Sequence, residues 1–160
     1  MLGEVIGSLY RYSDWANQRV FSTAEGLSAE QWLAPGTAGR GSIRDTLVHL
    51  VAAQRGWLSW WDGSRDRDPS LGVQLAPADF ADVAAVRAAW DAVHGRSMQF
   101  IDGLTDTALQ RDFHRTMGDG REIALPLWQM MMTVANHGTQ HRSEVAAMAI
   151  IEATSRLLPG

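Results

Sequence analysis

The stretch "MMMTVANHGTQHRSEVAAMAI", residues 130–150, decides the fold. Leu127, Met130, Met131, Val134, His137, Gly138, His141, Val145 and Met148 recur at three- and four-residue steps and share one broad helical face. The spacing predicts a helix from about Pro126, which suits a first turn, to about Ala149. Two imidazoles, His137 and His141, fall on its apolar face. An i, i+4 pair is offset by about 40° around the axis and about 6 Å along it, so both rings can reach one point. Two readings stay open at this stage. They are hydrogen-bonded core histidines, or they are two ligands of a metal ion that needs more.

Three further helices are expected upstream. The first covers residues 2–25, with Val5, Leu9, Tyr12, Trp15, Ala16 and Val20 as its apolar stripe. A loop with one helical turn after Ser28 follows, broken up by Pro35, Gly36, Gly39 and Gly41. The second helix starts at "SIRD", residues 42–45, with Ser42 as N-cap and Asp45 closing a capping box. Ile43, Thr46, Leu47, Leu50, Ala53, Trp57, Leu58 and Trp61 form its stripe, and His49 lies at the edge. The polar run "WDGSRDRDPS", residues 61–70, ends it.

The third helix is expected from Pro77 and Asp79, with Val83, Val86, Trp90, Val93, Ser97, Phe100 and Ile101 inward and Gly103 near its C-cap. "DFHRTMGDGREIAL", residues 112–125, reads as two short strands around a turn, or an irregular loop. A lone hairpin is marginal in water, so it must pack on the helices. The tail "IIEATSRLLPG", residues 150–160, has room for another short helix. The expected fold is all-α: an up-down four-helix bundle with a short β-hairpin insertion, in one domain spanning 1–160.

Composition narrows the function. The 160 residues are 46% hydrophobic and 20% charged, within the range of an ordinary globular domain. A net charge of −4 and scattered arginines argue against a phosphate-driven nucleic-acid binder. There is no cysteine, so a metal site must use His, Asp or Glu, and any sulfur nucleophile must come from outside. The N-terminus has no signal-peptide pattern, and no run approaches the roughly 18 apolar residues of a membrane span. A cytoplasmic location is the expectation. The seven tryptophans read mainly as core and groove filler.

His49 is the natural third partner for His137 and His141, since it sits on the core side of another helix. Small residues surround all three: Ala135, Gly138 and Thr139 near the pair, and Ala52, Ala53 and Gly56 near His49. Asn136, Gln54, Gln140 and Arg142 are candidates to support the rings or face a substrate. His94 reads as a surface or helix-end residue, His114 as exposed, and Asp45, Asp62 and Glu144 as cap or surface charges. A metal site and three structural histidines remain alternatives on this evidence.

The order "YRYSDWANQRVF" (10–21), "GSIRDTLVHLVAAQRGWLSWWDG" (41–63) and "VANHGTQHR" (134–142) resembles the DinB/YfiT-like superfamily of small four-helix proteins, over nearly the whole chain. The resemblance implies that His49, His137 and His141 hold one divalent metal: zinc or nickel, with iron or manganese also used. It implies chemistry with a low-molecular-weight thiol such as mycothiol or bacillithiol, and a homodimer. The chain departs from the family's H-R-G-Q with "HRSE" at 141–144, and has Ala53 and Gln54 where an acidic residue is usual. Two function classes follow. One is a metal-dependent enzyme that activates a thiol for S-transfer or isomerisation, or a water for hydrolysis. Arg142 would hold a substrate carboxylate and Trp57 would wall the pocket. The other is a non-catalytic metal-binding stress or sensor protein.

Overall fold

The computed structural model describes residues 1–116 and 119–155. Four long helices dominate: α1 (Leu2–Glu25), α2 (Ile43–Trp61), α3 (Val83–Asp102) and α4 (Leu127–Ser155). Two strands, β1 (Asp112–Thr116) and β2 (Glu122–Pro126), form an antiparallel hairpin with His114 opposite Ala124. The chain is mainly all-α with a short hairpin, as the sequence predicts.

The order of packing is less simple than alternation between sequence neighbours. Each of α1 and α2 packs on both α3 and α4, so α1 lies diagonally from α2 and α3 from α4, while α2 and α3 are neighbours. Tyr10 meets Met131 and Asn17 meets Arg142, so α1 and α4 run in parallel. Asp14 meets Trp90 and Glu25 meets Arg87, so α1 and α3 are antiparallel. Leu47 and Val48 cluster with Val145 and Met148, while Trp61 clusters with Leu127 and Met131, so α2 and α4 are antiparallel. The helices therefore run up, down, down, up. Because α2 and α3 point the same way, residues 62–82 must travel back along the bundle, which they do through short turns at Ser64–Arg67, Pro69–Gly72 and Pro77–Asp79.

That return path moves one helix start. Pro77 and Asp79 open only a single 3₁₀ turn, and α3 begins at Val83 with the Asp82 side chain accepting from Ala85 N at 2.9 Å. Elsewhere the caps are as read: Ser42 Oγ accepts from Asp45 N and Asp45 Oδ2 from Ser42 N, both at 3.1 Å. Ser28 and Gln31 make a second capping box for Ala29–Leu33. Pro126 closes β2 and does not open α4. Residues 150–155 continue α4 and form no separate helix; the rest of the tail lies outside the described residues.

The inward face of α1 differs from its expected stripe. Ile6, Tyr10, Ser13, Asn17, Phe21 and Ala24 are buried, whereas Val5, Tyr12 and Trp15 are more than half exposed. The buried set is the expected one shifted by one residue, a rotation of about 100°. The inward face is partly polar, because Tyr10 donates to Met131 O (3.1 Å) and Asn17 accepts from the buried Arg142 (3.3 Å). No helix among the described residues is long and apolar enough to cross a membrane.

Candidate metal centre

α2 and α4 run antiparallel, and their packing brings His49 against His137 and His141. His137 Nε2 lies 3.2 Å from His49 Nε2 and 3.1 Å from His141 Nε2. One donor nitrogen from each ring falls within 4.8 Å of the others, a group of residues that could hold a metal ion. Burial is graded, with His141 at 6% exposure and His49 and His137 half-buried, so the group is open on one side.

The protonation chemistry of the cluster points the same way. Glu144 Oε2 accepts from His141 Nδ1 at 2.5 Å, so in the neutral ring the hydrogen sits on Nδ1 and Nε2 presents a lone pair. His137 Nε2 touches two other Nε2 atoms, yet one ring nitrogen carries at most one hydrogen. Hydrogen bonding cannot satisfy both contacts unless a ring is charged, whereas one cation satisfies all three lone pairs. Zinc–nitrogen bonds of about 2.0–2.1 Å place ligand nitrogens about 3–3.4 Å apart, which the two short separations match. The donor set fits a divalent metal.

Electrostatics favour the neutral form of His49 and His137. Burial, then the charges of Arg40 and the neighbouring imidazoles, pull His49 down to about 4. Burial and His141 also lower His137. Burial pushes the Glu144 carboxyl up, but hydrogen bonds from Gln140 (3.0 Å) and His141 outweigh it and hold it below its usual value. Neutral imidazole is the form that ligates a metal.

Several candidate residues change role. Glu144 is no solvated surface charge: it orients His141 and is itself held by Gln140. The signal was present in the sequence, since i and i+3 residues share a helical face. Arg142 is buried at 7% exposure, bonding Asn17 Oδ1 (3.3 Å) and Thr139 Oγ1 (2.8 Å). Gly138 makes room for that guanidinium and not for an ion, as a Cβ there would lie 3.0 Å from Arg142 Nη1. Gln54 turns away from the histidines to donate to Ser97 Oγ at 3.0 Å, and Asn136 is exposed. Trp57 packs beside Trp61 in the cluster at the far end of α2. His114 is exposed, as expected. His94 is no surface residue: it is half-buried, stacked on Trp90 and 3.5 Å from Asp14 Oδ1.

A narrow cleft of about 20 Å³ lies behind the cluster, at the junction of all four helices. His137, Gly138, Arg142, Asn17, Ser13 and Asp14 are among its walls. With this geometry in place, comparison with protein families finds that the model of a family described as the DinB family matches residues 1–150. No protein of curated function matches the chain.

Proposed function

The chain belongs to the DinB family, and on that premise we propose that it is a metal-dependent enzyme using His49, His137 and His141 to hold one divalent ion. Three neutral imidazoles suit zinc or nickel, with iron or manganese as further occupants. The observation that carries the reading is the convergence of three Nε2 atoms, one of them fixed by the His141–Glu144 bond.

A metal bound there supplies Lewis acidity, which lowers the pKa of a coordinated thiol or water. The protein's own contributions follow from its geometry. Glu144 fixes the tautomer and ring plane of His141. The buried Val134 and Val145, one helical turn before His137 and one after His141, give the centre an apolar backing. The half-buried edges of His49 and His137 leave an approach for a substrate. The absence of cysteine means that a sulfur nucleophile arrives as a separate low-molecular-weight thiol. The reaction class that fits is S-transfer or isomerisation with such a thiol, or hydrolysis by activated water.

The exposed face of α1 supports a homodimer as part of this reading. Tyr12 and Trp15 stack at 5.8 Å, Val5 is exposed two turns earlier on the same helix, and a groove of Val20, Ala146 and Ala149 runs between α1 and α4. Exposed apolar patches of this kind mark contact surfaces. Sedimentation of wild-type and Trp15→Glu protein tests it: a dimer that the substitution dissociates supports the face, and a wild-type monomer rejects it. The test of function is assay of metal-loaded protein with several thiols and a generic electrophile. The expected result is turnover above free metal that His49→Ala loses. Stoichiometric metal without turnover for any thiol or ester would favour the sensor reading.

A further inference from the structure

Arg142 is a buried cation whose partners among the described residues, Asn17 Oδ1 and Thr139 Oγ1, are both neutral. A guanidinium taken out of water is costly unless an anion compensates it. Two bonds leave the rest of its five N–H donors unpaired. The same cleft holds Ser13, 9% exposed, whose hydroxyl is buried and makes no hydrogen bond. A buried orphan hydroxyl beside a buried uncompensated cation is an arrangement that native interiors seldom leave unfilled. The other polar groups of the cleft are committed. Tyr10 donates to Met131 O, Gln54 to Ser97, and Trp90 Nε1 donates to Asp14 Oδ1 at 3.3 Å, which also faces His94. The free donors of the cleft are therefore those of Arg142 and Ser13, while Asp14, the one carboxylate among its walls, is taken up by Trp90 Nε1 and His94.

We infer that Arg142, Ser13 and Asn17 form a subsite for a carboxylate, placed across His137 from the histidine cluster. The side chains have distinct parts in it. Arg142 supplies the charge and the remaining N–H donors. Ser13 donates its unused hydroxyl hydrogen. Asn17 holds the guanidinium in place through its carbonyl oxygen. Gly138 leaves space for the guanidinium to lie back along α4, where an alanine would crowd it. The size sets the ligand: about 20 Å³ accepts one or two water-sized atoms, the end of a carboxylate and not a bulky sulfonate. Because His137 is a wall of both places, a carboxylate held here lies next to whatever occupies the cluster. Calling it the substrate's carboxylate rests on the metal-centre reading; the anion site itself does not.

Sodium formate is the probe, titrated against full-length protein by calorimetry at constant ionic strength in a bulky sulfonate salt. Both metal-loaded and chelator-treated protein are used. The expected result is saturable binding in both forms, weakened about tenfold or more in Arg142→Gln, as the loss of charge-assisted hydrogen bonds implies. Ser13→Ala is the second variant. It removes an unpaired buried hydroxyl, so its melting temperature without formate should equal or exceed wild type, while formate binding weakens several-fold. A merely structural serine would not show that split. Three results would overturn the proposal: no saturable binding by wild type, wild-type affinity in Ser13→Ala, or binding that needs the metal and ignores Arg142→Gln. The last places the anion on the ion, leaving the metal reading intact and removing the subsite. Absence of metal with formate binding retained would do the reverse.

Discussion

Two polar centres share one turn and a half of α4 and could hardly differ more. The histidine cluster presents lone pairs, opens to one side, and carries a carboxylate partner behind His141. The Arg142 centre presents hydrogens, is closed in, and has only neutral partners. The first is built to receive a cation and the second an anion. A helix can serve both because residues 137 and 141 face α2 while 142, about 100° further round, faces α1. Polar groups in a core are thus read by what they still need, not by their residue type.

The comparison is broken most decisively at the cluster. His137→Ala should take metal content from one ion per chain to none, measured by elemental analysis after dialysis, and leave the melting temperature of chelator-treated protein near wild type. Next comes the apolar frame. Leu47, 1% exposed and packed beside both helices' core, should cost about 2–5 kcal/mol as Leu47→Ala in denaturant unfolding. Glu144→Gln should be subtler, keeping the fold but weakening metal affinity about 10–100-fold in competition with a chromophoric chelator. An unchanged affinity would return Glu144 to the surface role first read for it.

The smallest effect concerns pH. His49 titrates near 6.5 in the unfolded chain and at about 4 in the fold. Its contribution to the metal-free protein is complete above about pH 6.5 and lost progressively as the pH falls towards 4, where it levels off. Unfolding curves of wild type and His49→Gln over that window should converge as the pH falls. Parallel curves would show that His49 is not buried neutral.

α2, α3 and α4 were legible because their core faces are apolar at helical spacing, and the histidines lie on those faces. α1 misled for a physical reason. It turns Ser13 and Asn17 inward to serve Arg142, and turns Tyr12 and Trp15 outward, so hydrophobic periodicity pointed one residue off. The start of α3 was misplaced because Pro77 and Asp82 are both good starting signals, and only the return path of residues 62–82 decides between them. Arg142 could not be placed from sequence, since its burial depends on the α1 rotation. Glu144 was legible in spacing and was passed over because carboxylates on helices are usually solvated.

The central claim is that His49, His137 and His141 hold one metal through Nε2. The most direct test is anomalous diffraction from crystals of the purified protein, at the zinc and nickel edges. The account predicts one strong peak per chain, within bonding distance of all three Nε2 atoms. A protein that retains metal with its peak elsewhere, or three rings with no peak after loading, would contradict it.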